Sequence, residues 1–113
     1  MAWYTVYVVE LDDQANLEPR GDPSKPYLYV GITARTPEER FATHRGGGMT
    51  ASKLVRDHGV RLRPDLYACY KKANGEQKAT RMELSVAEEL RSRGFVVYCG
   101  KPGLFWNPSA HLG

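Results

Sequence analysis

The stretch 27-YLYVGITARTPEERFATH-44 decides how the chain is read. Residues 27–32 are aromatic, β-branched or apolar around one glycine, which predicts a strand. Thr36-Pro37-Glu38-Glu39 then supplies an N-cap hydroxyl, a proline at the first helical position and a glutamate placed to close a capping box. A helix follows and ends at the glycines of 45-RGGG-48. Arg40 and His44 lie four apart, so they share a face of that helix. A surface pair accounts for them, with His44 complementing the helix dipole, and the tyrosines have a plain reading as strand aromatics. Packing alone gives no reason to gather Tyr29, Gly31, Thr33, Arg40 and His44 at one strand-to-helix junction.

Working outward, 3-WYTVYVVEL-11 reads as a half-buried strand that pairs with 27–32 as a hairpin. The intervening 12-DDQANLEPRGDPSKP-26 is a long polar loop, of a length that is functional or mobile in a small domain. A short helix fits 51-ASKLVRDHG-59, with Leu54 and Val55 inward, and 65-DLYACY-70 reads as a third strand. The long segment 76-EQKATRMELSVAEELRSRG-94 repeats apolar residues at helical spacing, and Gly94 ends it. A short strand is expected at 95–100, then an irregular tail at 101–113. The prediction is an α+β fold: a small, about three-stranded antiparallel sheet flanked by helices.

The bulk properties bound the function. A chain of 113 residues, 42% hydrophobic and 26% charged, suits one globular domain. A net charge of +3 permits a polyanionic partner without requiring one. No apolar run approaches the roughly 20 residues of a membrane span. The N-terminus lacks the features of a signal peptide, so a cytoplasmic location is expected. Cys69 and Cys99 have no CxxC spacing and the three histidines are scattered, which argues against zinc and for two free, buried thiols.

Glu83 is anomalous. Ala79, Val86, Ala87 and Leu90 surround it on the apolar stripe of its helix, while Glu88, Glu89 and Arg91 lie off that stripe. A carboxylate on an inward face is costly unless it is paired, hydrogen-bonded or bound to metal. It either pairs with a nearby arginine, reaches water at the stripe's edge, or serves a site.

Taken together, these residues resemble the GIY-YIG nuclease family. The first motif stands here as Thr5-Val6-Tyr7 and the second as Tyr29-Val30-Gly31, followed by Thr33, Arg40 and His44. The family's metal-binding glutamate falls on Glu83, so the resemblance runs from about residue 5 to about residue 90, within a single domain spanning 1–113. Thr5 replaces the first glycine of the family motif, and the loop between the tyrosine motifs is longer than usual. Asn107 is the candidate for a supporting asparagine that many members carry.

The resemblance implies a Mg²⁺- or Mn²⁺-dependent DNA endonuclease, with RNA left open as a substrate. Glu83 would be the metal ligand, and Tyr7 and Tyr29 would position or deprotonate water. Phenol ionises near ~10, so a tyrosine base needs that value lowered by Arg40 or the metal. Arg40 offers a fork of donors suited to phosphate oxygens, and His44 would orient a tyrosine or relay a proton. Gly31 allows close backbone approach, and Thr33 would join it in substrate binding. Lys53 and Arg56, with Arg61, Arg63, Lys71 and Lys72, would contact a nucleic-acid backbone; a solvated mixed surface explains them equally well. The alternatives are a nucleic-acid-binding module that does not cleave, and a protein-interaction domain using the 12–26 loop. A homodimer or a separate targeting partner fits a chain with no room for a DNA-targeting domain.

Overall fold

The computed structural model describes residues 3–15, 24–46 and 53–99. The loop at 16–23, the glycines 47 and 48, and the tail that carries Asn107 lie outside the described residues. The elements, in chain order, are β1 (Trp3–Leu11), a 3-10 turn (Asp13–Ala15), β2 (Tyr27–Thr33), α1 (Pro37–Gly46), α2 (Lys53–His58), β3 (Gly59–Leu62), α3 (Pro64–Tyr67), β4 (Ala73–Asn74), α4 (Glu76–Ser92) and β5 (Val97–Cys99).

The hairpin is the spine. β1 and β2 pair antiparallel without a break from Thr5 opposite Thr33 to Leu11 opposite Tyr27. That register sets Tyr7 directly across from Gly31. The sheet order is β3-β1-β2-β5, with β4 paired to the start of β1. Burial of Val6, Val8, Leu28 and Val30 on the strands and of Val86, Ala87 and Leu90 on α4 makes one core. Each buried valine or leucine side chain among them contributes about 1.5–3 kcal/mol by leaving water.

Three expectations need correction. The fold is α+β, but the sheet is mixed, because β5 runs parallel to β2. The segments between them, including α4, act as the crossover that a parallel pair requires. Residues 65–70 do not form a strand. Pro64 at the first helical turn starts α3 there, and the third strand is Gly59–Leu62 instead. Its residues Val60 and Leu62 extend away from the helix stop at Gly59. Finally, Cys69 is exposed and Cys99 only half-buried. Burial pushes the Cys99 thiol up to about 12, and the nearby Glu83 carboxylate adds to the effect. Neither the position of Cys99 nor its chemistry favours a reactive thiolate.

α1 and α4 behave as their sequences predict. Glu39 N–H donates to Thr36 Oγ1 at 3.1 Å, while Thr36 N–H reaches Glu39 Oε1 at 3.3 Å, closing the capping box. Gly94 has φ of 96°, the left-handed conformation that a glycine adopts cheaply after a helix. α1 is weakly apolar and buries one side chain, His44. Its C-terminal end is tied to β3 where Arg45 Nη1 donates to the Gly59 carbonyl at 2.7 Å. The cap, this bond and His44 therefore set how α1 lies on the sheet. Thr36→Ala is expected to cost about 1 kcal/mol of stability. Urea denaturation should show it as a lower midpoint with an unchanged m-value.

Candidate active site

β1, β2, the turn after β2, α1 and α4 line one cavity of about 630 Å³. The sheet contributes Tyr7, Tyr29, Gly31 and Thr33, α1 contributes Arg40, and α4 contributes Glu83. Six of the sequence candidates therefore converge from both halves of the chain. His44 stands behind this surface, fully buried, and touches it through Tyr7.

The contact between Tyr7 and Gly31 is steric. A Cβ on Gly31 would lie 2.5 Å from the Tyr7 hydroxyl oxygen and 2.6 Å from the ring carbon that bears it. Only a residue without a side chain lets the Tyr7 ring lie across β2. Gly31 thus makes room for a tyrosine, a role distinct from the close backbone approach read from the sequence. The end of the ring is held by His44, whose Nε2 is 2.7 Å from the hydroxyl. Tyr29 completes the cluster, its ring centroid 6.3 Å from Tyr7 and 5.8 Å from His44, edge-on to the imidazole.

Electrostatics assign the protons. Burial is the largest influence on Tyr7 and drives its pKa well above that of free phenol; Tyr29 adds to this, and the nearby Arg40 opposes it more weakly. A tyrosine base needs this value lowered by Arg40 or a metal; Arg40 does pull it down, but desolvation outweighs that pull because the phenolate would be buried. Burial also lowers His44, to about 4, and the positive charge of Arg40 lowers it further. His44 is accordingly neutral at physiological pH. With phenol protonated and imidazole neutral, the two share a hydrogen bond between uncharged groups, and the imidazole tautomer sets which of them donates.

Glu83 is 1% exposed, which removes the reading of a stripe-edge carboxylate that reaches water. Four further polar side chains line the cavity: Tyr4, Arg35, Thr43 and Glu76. Helical spacing could have found two of them, since Thr43 is three residues from Arg40 and Glu76 is seven from Glu83. Arg35 follows Thr33 in a turn where its N–H donates to Thr33 Oγ1 at 3.0 Å. No sequence signal points to Tyr4.

Other candidates are not brought in. Lys53 and Arg56 are exposed on α2 and do not line the cavity, and Arg56 pairs with Asp57 at 3.0 Å. Arg63 is held by Glu10 and Asp65, both at 2.9 Å, and Arg61 by Glu10 at 3.3 Å. These pairs stiffen the edge of the sheet and occupy the guanidinium groups expected to face phosphate.

Residues 4–95 match the sequence model of the GIY-YIG catalytic domain. The chain belongs to the GIY-YIG family. No curated protein and no solved structure is similar enough to be matched. The GIY-YIG domain marks a family of nucleases, typically metal-dependent, whose substrates are nucleic acids.

Among the described residues, no group of three or more His, Cys, Asp or Glu could hold an ion. Glu83 and Glu76 both line the cavity, but seven residues of helix separate them by roughly 10 Å, too far to share one ion. The residues therefore fit a hard cation held through one carboxylate, with solvent completing its shell, as Mg²⁺ is commonly held.

The titration of His44 has a sign that can be checked. Its unfolded value is near 6.5 and its folded value about 4. Between these pH values the unfolded chain binds more protons, so stability falls as pH falls. The expected loss from this residue is about 2–3 kcal/mol across that window. Urea titrations at a series of pH values should show it, and His44→Gln should flatten the profile. Gly31→Ala should displace the Tyr7 ring and rehydrate the imidazole, raising the His44 pKa measured by NMR.

Proposed function

We propose that this chain is an endonuclease that hydrolyses phosphodiester bonds in DNA, acting in the cytoplasm. The observation that carries this reading is the Tyr7–His44 hydrogen bond, whose phenol opens into the cavity shared by Arg40 and Glu83.

The residues divide the work as follows. A phosphodiester entering the cavity meets the Arg40 guanidinium, whose planar fork of donors suits the non-bridging oxygens. The attacking water lies against Tyr7. As the water oxygen bonds to phosphorus and the bond from phosphorus to the leaving oxygen breaks, water gives up a proton to the Tyr7 oxygen, the phenol passes its own proton to His44 Nε2, and the leaving oxygen takes a proton from solvent. This relay avoids a buried phenolate, which the strongly raised pKa of Tyr7 disfavours. The charge of Arg40 holds the His44 pKa down in the free protein. An anionic phosphate bound to Arg40 offsets that charge, so His44 becomes a better proton acceptor when substrate is present. Tyr29 and Thr33 border the same space and orient the water and the phosphate. Glu83 would hold the divalent cation, Mg²⁺ or Mn²⁺, which when bound would neutralise charge on the phosphate and activate water.

The deciding assay is cleavage of supercoiled plasmid with Mg²⁺ or Mn²⁺. Nicking or linearisation is expected, and it should vanish with EDTA and in Glu83→Ala. Activity that survives Glu83→Ala would defeat this assignment of the metal ligand. DNA that is retained but never cleaved would favour a binding module on the same fold. Glu83→Leu gives a second readout. Leucine removes the charge and every polar contact of this carboxylate, so cleavage should be lost, and Glu83→Gln, which keeps the shape and a polar group, should lose cleavage while it stays folded. His44→Gln should lower kcat by about 10²-fold or more while changing KM little.

A further inference from the structure

We propose that Trp3 is a stacking platform for an unpaired nucleotide, so that the preferred substrate carries a single-stranded segment beside the bond to be cut. The inference rests on the nuclease reading for the class of its ligand and adds the form which that ligand takes.

Trp3 is 56% exposed, more than either other large exposed apolar residue among the described residues, Val60 or Tyr70. Its backbone is nonetheless in a regular ladder: Trp3 pairs with Asn74 of β4, and Tyr4 with Ala73. A large aromatic surface held out on a paired strand loses little further entropy when a flat ligand covers it. Trp3, Thr5 and Tyr7 alternate onto one face of β1, and four residues of strand place Trp3 about 13 Å from Tyr7. A stacked strand rises about 3.4 Å per nucleotide, so a chain leaving the cavity reaches Trp3 within about four steps. Tyr4, next to Trp3 in β1, lines the cavity, so the cavity reaches to within one residue of Trp3 along the strand.

The surroundings favour a polynucleotide over an apolar partner. Exposed Lys71 and Lys72 immediately precede β4, the strand that pairs with Trp3. Two exposed lysines two and three residues before Asn74, the cross-strand partner of Trp3, supply positive charge near the protruding indole, and charge with a π-face is what single-strand-binding surfaces combine. Glu76, at the start of α4, repels phosphate and favours a path on the lysine side. A duplex interior does not present an open base face to the indole, because its bases are already stacked. The complementary ligand is an unpaired base on a backbone of phosphates.

The test uses the full chain in a Trp106→Phe background, so that emission comes from Trp3, with EDTA present to prevent cleavage. Single-stranded oligothymidylate and a blunt duplex are titrated separately. Saturable quenching by the single strand is expected. Trp3→Ala should weaken single-strand binding roughly tenfold, Trp3→Phe should restore most of it, and duplex binding should change less than twofold. Replacing Lys71 and Lys72 by alanine should reduce the salt dependence by about one to two released counterions. Unchanged Trp3 emission at saturating single strand, or equal losses for both forms in Trp3→Ala, would overturn the proposal. Plasmid cleavage by the parent protein separates the two readings. Cleavage with a silent Trp3 would sink only the platform. Specific quenching without any cleavage would keep the platform and sink the nuclease.

Discussion

The hydrogen bond between Tyr7 and His44 is the constraint around which the site is built. It joins a strand to a helix across 37 residues of chain, and it is buried, so neither partner can turn to water instead. It also requires Gly31, because the phenol occupies the space that any side chain there would take. α1 holds itself to the core with one large apolar side chain, the partly buried Phe41. Its only buried side chain is His44. The same contact therefore seats the helix that carries Arg40 and fixes the ring that faces the cavity. Stability and chemistry are coupled at one point.

The second unusual choice is the burial of Glu83. An apolar residue in its place would serve the core of α4 at least as well, since Ala79, Val86, Ala87 and Leu90 already make an inward stripe. A carboxylate in that row is understandable as a ligand for a cation or a partner for a polar group in the cavity. The same low-dielectric surroundings that raise its cost also strengthen whatever charge interaction it makes. Arg40 and Glu83 lie on different helices and line one cavity, which brings opposite charges to the same space. The burial that raises the cost of Glu83 also keeps the Tyr7 phenol protonated and the His44 imidazole neutral.

Much of this was legible before any coordinates. The capping box at Thr36 and Glu39, the glycine stop at Gly94 and the hairpin of β1 and β2 are local features, and local sequence determines them through hydrogen-bond geometry and side-chain period. The candidates Tyr7, Tyr29, Arg40, His44 and Glu83 were visible through motif spacing. What failed was non-local. Residues 65–70 have strand-like composition, but Pro64 starts a helix, while the four residues at Gly59–Leu62 gain ladder bonds against β1. The parallel pairing of β5 with β2 depends on where a long crossover returns, which no short window contains. Lys53 and Arg56 were plausible phosphate contacts by charge alone, yet α2 points them elsewhere.

The sequence by itself determined the class of fold and the limits of the capped and periodic helices, because capping and periodicity act over a few residues, while the candidate side chains were named through the resemblance of their motifs to one family. Only the tertiary structure decided which phenol is desolvated, that His44 is neutral and bonded to it, and that Tyr4, Arg35, Thr43 and Glu76 share the cavity. Those outcomes depend on burial and on distances between segments far apart in the chain. Desolvation is a property of the packed environment, and the sequence carries it only through the fold.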